Sequence, residues 1–130
     1  MTVRFLRAAP GTARAGLASA GALADGWLIL PGILPVDLAD DRVPLPEQVE
    51  AQTAKVLANL EMLAGPLGLG RAQTVMVSIA LVDLPRLEKR MIAVYQRFFG
   101  DGTLPALSCI GVAALPRGAL VQMDFVLRGP

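Results

Sequence analysis

The stretch TVMVSIALV, residues Thr74–Val82, together with the segment that follows it from Asp83 to Phe99, decides the fold class. The first stretch alternates apolar with polar or smaller residues and is rich in β-branched side chains, which predicts a strand. In the second segment Asp83 predicts a helix N-cap, with a proline near the first turn. The apolar residues that recur there at helical spacing are Leu84, Leu87, Met91, Tyr95 and Phe98.

Upstream of this unit the sequence predicts two strands and a helix. Val3–Leu6 alternates weakly, and Trp27–Leu30 is a short apolar run closed by Pro-Gly. Residues 10–26, rich in Gly and Ala, predict a loop or a loose hairpin arm. The helix begins at Pro46 and Glu47 and is stopped by a Gly-Pro pair. Its predicted buried stripe is Val49, Thr53, Val56, Leu57, Leu60 and Leu63.

Downstream, two further strands are predicted near Ser108–Ala113 and Leu120–Leu127, with a turn at Pro116–Gly118 between them. The element order β-β-α-β-α-β-β predicts an α+β fold in which both helices pack on one face of a mixed sheet. The absence of an internal repeat or linker indicates a single domain spanning residues 1–130.

The composition favours association between subunits. Hydrophobic residues make up 54% of the 130 residues and charged residues only 18%, against a usual fraction of about 25% charged. So much apolar surface is better covered by a subunit interface than left on a small monomer, although an unusually apolar monomer is the alternative. The net charge is +1 and the basic residues are scattered, which argues against a nucleic-acid partner.

The chain has no histidine and one cysteine. This excludes Ser-His-Asp and Cys-His arrangements and histidine-ligated metals, and we expect neither a metal nor a cofactor. A single cysteine forms no intrachain disulfide and fits a reducing, cytoplasmic compartment. Arg4, Arg7 and the stretch Leu17–Leu23 only weakly imitate a secretory signal, because the stretch is mostly Ala, Gly and Ser and Arg14 lies close before it. Asp25, Pro31 and Pro35 interrupt any membrane-spanning helix. We therefore expect no membrane association, and the sequence leaves open whether the N-terminus is processed.

Several short sequence motifs occur in an order and spacing that are typical of one protein family. They are Gln52-Thr53 with Leu57 and Asn59-Leu60, Asp83 with Tyr95 and Phe98-Phe99, and then Pro105-Ala106, Ser108-Cys109 and Leu115-Pro116. Together, over about Trp27 to Leu127, they resemble the RidA/YjgF family of reactive-intermediate deaminases. The resemblance implies a chorismate-mutase-like fold and a homotrimeric barrel with three clefts between subunits.

The resemblance also indicates which site positions have changed. The family arginine that is thought to hold a substrate carboxylate falls on Leu107, and a leucine cannot donate a hydrogen bond. The family glutamate that positions water falls on Gln122, whose amide can orient water but cannot act as a carboxylate base.

Three further family positions also differ. A polar cleft residue falls on Pro31 and an asparagine on Ile92, while the N-terminal cleft tyrosine has no clear counterpart, its nearest aligned stretch being Ala18–Ala20. The candidate ligand-cleft residues are therefore Pro31, Gly32, Ile33, Ile92, Leu107, Ser108, Cys109 and Gln122, with no confident catalytic residue and no metal ligand.

Two side chains allow alternative interpretations. Cys109 is the one nucleophile at a family-matched position, but nothing in the sequence places a cation beside it, which favours a small strand residue facing the core. Asp124 either lies in the cleft beside Gln122 or faces solvent, and the sequence favours solvent.

Three functions remain open at this stage. The first is a homotrimer without 2-imino acid deaminase activity, whose largely apolar clefts bind a small neutral or hydrophobic ligand. The second is a hydrolase or deaminase acting on a different imine- or enamine-like molecule in the same cleft. In it Gln122 would orient water, and backbone amides near Gly32 and Ser108 would stabilise an anion. The third is a scaffold trimer that binds a partner protein.

Overall fold

The computed structural model describes residues 2–8, 15–102 and 104–129 and shows a six-stranded mixed sheet with two helices packed on one face. The elements are β1 Arg4–Leu6, β2 Gly21–Ala24, β3 Trp27–Ile33, α1 Val49–Ala64, β4 Thr74–Val82, α2 Leu84–Phe99, β5 Ala106–Val112 and β6 Val121–Arg128. The strand order is β1-β2-β3-β6-β4-β5, with β4 and β5 parallel and every other neighbouring pair antiparallel. The predicted architecture is thereby confirmed.

The two faces of the sheet differ in burial. On the face that carries the helices, alternate residues of β3, β4 and β6 are buried: Leu28, Leu30, Val77, Ile79, Leu81, Val121, Met123, Phe125 and Leu127. The opposite surface, here called the open face, exposes Trp27 and Ile29 of β3 and Met76 of β4 beside the polar residues of β6. The period of two seen in the sequence therefore separates a core face from an open face.

One strand was missed by the sequence prediction. Within the segment expected to be a loop or hairpin arm, Gly21–Ala24 forms β2 and pairs antiparallel with β3. The connection is Asp25-Gly26, with φ of 51° and 79°, and an Asp-Gly pair with both φ positive is favoured in two-residue hairpins. Residues 10–14 of the predicted loop lie outside the described residues.

The first helix begins later than predicted, and the second begins after Asp83 as predicted but without a side-chain cap. The α1 helix begins at Val49, because the carbonyl of Pro46 accepts a 2.7 Å hydrogen bond from the Gln52 side chain and stays outside the helix. Asp83 does precede α2, but its backbone is left-handed, with φ 52°, and its side chain makes no capping hydrogen bond. Its carboxylate instead accepts a 2.6 Å bond from Arg86 Nε.

The polar residues on the buried stripe of α1 hold backbone segments in place. The Asn59 amide nitrogen donates to the carbonyls of Leu34 and Val36, at 3.0 and 2.8 Å. Gln52 Oε1 accepts a 2.8 Å bond from the Leu120 amide, in the turn that leads into β6. Gln52 and Asn59, two of the residues that resemble the family motif in α1, therefore have a structural role as hydrogen-bond partners of the backbone.

Candidate functional site

A small depression on the open face collects polar side chains from three neighbouring strands. Its volume is about 90 Å³, and its lining residues are Ser78, Ile79, Ala80, Ser108, Ile110, Gln122 and Asp124. The register explains the collection, because Ser78 lies opposite Asp124 of β6 on one side and beside Ser108 of β5 on the other. Neighbouring strands lie about 4.8 Å apart, so these three residues form one row across the sheet.

The row continues to a bulge in β3. The pairing of β3 with β6 shifts between Leu30 and Ile33, and Gly32 within the shift has φ 60°, a conformation that favours glycine. The Gly32 amide donates a 2.6 Å hydrogen bond to Asp124 Oδ1. A carboxylate acceptor makes this a charge-assisted bond, which is stronger than a neutral one. Asp124 therefore fixes the shape of the bulge.

Asp124 is exposed to solvent, as the sequence favours, and it also lines the depression beside Gln122 and contacts the β3 bulge. Sequence reasoning did not include it among the cleft residues. The signal was present, because Gln122 and Asp124 are two residues apart on one strand and so lie on the same face.

A second group of candidate residues lies on the other face of the sheet, where α2 covers β5. The parallel register pairs Leu107 with Val77 and Cys109 with Ile79, so both side chains are on the helix-bearing face. Leu107 is 44% exposed, because β5 is the last strand of the sheet. We call Glu88, Ile92, Leu107 and Cys109 the edge group.

The alignment of α2 on β5 brings the edge group together. A Cβ added at Gly111 would lie 3.3 Å from Leu84 Cβ, and the charge of Glu88, one turn later, acts on Cys109. Four residues of α2 rise by about 6 Å, which is close to the rise of two residues in a strand. Each turn of α2 therefore moves along β5 by about two residues. From this alignment we infer that Ile92, one further turn along α2, lies near Leu107.

Cys109 is not an activated nucleophile in this environment. Burial against the core raises the pKa of its thiol, and the negative charge of Glu88 raises it further. Both effects keep the proton on sulfur at neutral pH, whereas a reactive cysteine needs a lowered pKa. The structure agrees with the interpretation of Cys109 as a small, core-facing strand residue.

The candidate cleft residues thus separate into distinct groups within one protomer. The Gly32 amide bonds to Asp124, and Ser108 and Gln122 line the same open-face depression, with Ser78 between Ser108 and Asp124. Exposed Pro31 lies in the bulge. The side chain of Ile33 is buried in the core and lines no surface. Ile92, Leu107 and Cys109 belong to the edge group. Ala18–Ala20 precedes β2, about 20 Å from β5 if four strand spacings are counted.

Four ion pairs join charged groups elsewhere in the described part of the chain. Arg42, Arg71, Arg86 and Arg90 form ion pairs with Asp40, Glu61, Asp83 and Glu50. Among residues 2–8, 15–102 and 104–129, no group of three or more Asp, Glu or Cys side chains is arranged to hold a metal ion. Neither helix in this part of the chain has the length and apolar character needed to cross a membrane.

The chain is similar to proteins of one family over almost its whole length. Residues 8–127 match the family model described as endoribonuclease L-PSP. A RutC family protein of Synechocystis is 30% identical over 126 residues, 97% of this chain and 96% of that protein. A 2-iminobutanoate/2-iminopropanoate deaminase of Salmonella typhimurium is 30% identical over 101 residues, 76% of this chain and 77% of the deaminase.

Solved structures show the same fold. The Rid family protein YyfA of Yersinia pestis superimposes with a TM-score of 0.86 at 24% identity, covering 98% of this chain and 100% of that one. The YjgF gene product of E. coli has a TM-score of 0.81, also at 24% identity, with 96% and 94% covered.

Proposed function

This chain belongs to the RidA/YjgF family, and from that premise we propose that it forms a homotrimer without typical 2-imino acid deaminase activity. Its clefts between subunits are largely apolar and bind a small neutral or hydrophobic ligand. The observation that carries the proposal is Leu107, an exposed leucine on the edge strand at the position where the family resemblance implies an arginine.

A leucine at this position removes the means of binding a carboxylate. Holding that group in a cleft needs paired donors to offset its lost hydration, and a guanidinium supplies two in parallel. Leu107 supplies none, and its neighbours in the edge group add an isoleucine, a thiol and the carboxylate of Glu88. An anionic substrate would meet apolar surface and a like charge here.

The division of the candidate residues between two faces supports a site shared between subunits. One protomer cannot bring the edge group and the open-face depression around a single small ligand, because the sheet separates them. If the edge of β5 in one subunit abuts the open face of the next, the two groups meet. Residues 104–115 contain no charge, so this edge strand lacks the charges that commonly prevent a free edge from pairing.

The family's water-positioning chemistry is also weakened. Gln122 has no ionisable carboxyl group and cannot accept a proton from water. The Gly32 amide already donates to Asp124, so it is not available to stabilise an anion as the hydrolase hypothesis required. The observation that favours that second hypothesis is Asp124 itself, a carboxylate beside Gln122 that could serve as a base for a different imine- or enamine-like substrate.

An RNA-cleaving role has little support in this chain. Four of the described arginines face carboxylates, and the net charge of the chain is only +1. RNA binding depends on exposed cationic groups that neutralise phosphates. The chain also has no histidine to act as an acid or base near neutral pH.

The proposal is tested by imine hydrolysis. The full-length protein is added to a serine dehydratase that releases the reactive enamine from serine, and ammonia release is followed. We expect no acceleration over the uncatalysed rate, with the Salmonella deaminase as positive control. Robust acceleration that is lost in Gln122→Ala would overturn the proposal. Size measurement in solution checks the trimer, and a monomer at micromolar concentration would contradict it.

A further inference from the structure

We infer that the open-face depression recognises a hydrophobic amine, a small molecule with an apolar body and a protonated amino head, whose charge is met by Asp124. The inference rests on the proposed function, since it names the chemical class of the hydrophobic ligand. It adds to that hydrophobic ligand a protonated amino group, in place of the carboxylate that the family resemblance implies.

The lining of the depression is rich in hydrogen-bond acceptors. Asp124 carries a full negative charge, and Ser78, Ser108 and Gln122 each offer an oxygen. Of the lining residues in the described part of the chain, none is cationic. An ammonium group donates three hydrogen bonds and accepts none, so it matches this set, whereas a carboxylate would be repelled.

Asp124 is held in an orientation suited to this role. Its Oδ1 accepts the 2.6 Å bond from the Gly32 amide, and among the described residues nothing else is bonded to its other oxygen. The bond restrains the carboxylate before any ligand arrives, which lowers the conformational entropy lost on binding. The remaining oxygen is left for a donor within the depression.

The surroundings match an apolar body. Ile110 lines the depression and is 61% exposed, and Ile29 and Met76 are exposed on the same face of neighbouring strands. The volume of about 90 Å³ accommodates a head group of a few heavy atoms, since one water occupies about 30 Å³ in the liquid. The rest of the ligand would then lie over the apolar side chains.

Three probes of the same shape separate the possible head groups. Benzylamine, benzyl alcohol and benzoate are titrated into the full-length protein by calorimetry. The amide resonance of Gly32 is followed by NMR, because its hydrogen bond to Asp124 makes it a local reporter. We expect benzylamine to bind about tenfold more tightly than either other probe, which is the scale of one charge-assisted hydrogen bond.

The variant Asp124→Asn removes the charge while an amide oxygen can still accept from Gly32, so the bulge is retained. This variant should lower the affinity for benzylamine about tenfold and leave the affinity for benzyl alcohol unchanged. Asp101→Asn, at an exposed aspartate in the loop after α2, is the matched control and should bind as the unmodified protein does. Ser108→Ala is a second variant, expected to weaken benzylamine by a smaller factor.

The inference would be overturned if benzylamine did not bind, or if the three probes bound with equal affinity. It would also be overturned if Asp124→Asn bound benzylamine within about twofold of the original affinity, or if benzylamine did not shift the Gly32 amide resonance. These outcomes are independent of the imine assay. Ammonia release with amine preference intact would overturn the proposed function alone. No amine preference together with no ammonia release would overturn only the inference about the head group.

Discussion

The polar side chains of α1 and the polar side chains of the open face differ in what they contact. In α1, Gln52, Thr53 and Asn59 are buried and donate hydrogen bonds to backbone carbonyls. On β6, Gln122 is half-buried at the surface and lines a depression, while Leu107 on β5 lies exposed at the edge of the sheet. The α1 residues that resemble the family therefore support the fold, whereas the residues of the second region line the proposed site.

The largest effect is expected from the α1 region. Asn59→Ala removes the donor that satisfies the carbonyls of Leu34 and Val36, and it should lower the free energy of unfolding by about 2–4 kcal/mol. Urea unfolding at fixed protein concentration measures this. Gln96→Ala, at an exposed position of α2, is the control. An Asn59→Ala midpoint equal to that of the control would break the comparison.

The second helix, α2, also buries a polar group, the hydroxyl of Tyr95. Tyr95 is 5% exposed, and its hydroxyl has no hydrogen-bond partner among the described residues. Burial raises the pKa of Tyr95 to about 12. The unfolded chain therefore loses this proton first, near pH 10, and the stability that depends on the neutral phenol is present below that pH and is lost as the pH rises toward 12.

The loss attributable to Tyr95 should reach about 2 kcal/mol at pH 12. Tyr95→Phe should remove that alkaline decline and leave stability at pH 7 unchanged or slightly higher, because no hydrogen bond is lost. Urea midpoints at pH 7 and at pH 11 measure both effects. A large loss of stability in Tyr95→Phe at pH 7 would show that the hydroxyl has a partner in the assembled protein.

Leu107→Arg tests the proposed site, where we expect a substitution to have little effect on the stability of the fold. Leu107 is 44% exposed on an edge strand, so its replacement should change the free energy of unfolding by no more than about 0.5 kcal/mol. The new guanidinium should give measurable benzoate affinity, which calorimetry detects. Leu107→Lys is the matched control, with the charge but without the planar fork. Loss of folding in both variants would show that β5 is covered by something that tolerates no charge.

The smallest effect is expected at an exposed ion pair that joins the two helices. Arg90 lowers the pKa of Glu50, so the stability from this pair is present above the usual pKa of a glutamate and is lost as the pH falls through the lowered value. Glu50→Gln should leave the urea midpoint at pH 7 nearly unchanged and reduce its fall in acid. Both side chains are largely solvated, which limits the contribution. A large shift of the urea midpoint at pH 7 in Glu50→Gln would show that this ion pair contributes as much to stability as the buried hydrogen bonds of α1.

Much of the fold follows from local patterns in the sequence. The alternation in Thr74–Val82 identifies the buried face of β4. The helical spacing in α2 correctly identifies Leu87, Met91 and Tyr95 as buried. Leu84 and Phe98 are only partly buried, and Val94 and Phe99 are buried in addition. Strand β2 escaped notice because its residues, Gly21–Ala24, are small and show little contrast between faces. Gly21 is required by tertiary contact, since a Cβ there would lie 2.8 Å from the carbonyl oxygen of Ile29. Such a contact is invisible until β2 and β3 are paired.

The candidate site was less accessible to sequence reasoning. Alternation along β5 does separate Leu107 and Cys109 from Ser108, and along β6 it joins Gln122 to Asp124. Which of those faces carries the helices depends on strand order, which no local pattern specifies. The bond between Gly32 and Asp124 links residues 92 apart in sequence. The grouping around Asp124 therefore required the assembled sheet.

The β3 bulge has a consequence for the heat of ligand binding. Its backbone is held by a carboxylate of the same chain. We therefore expect ligand association to proceed without ordering of this loop. Calorimetry across temperature should then show a heat-capacity change set by the apolar area that the ligand itself covers, without the larger contribution of a folding segment.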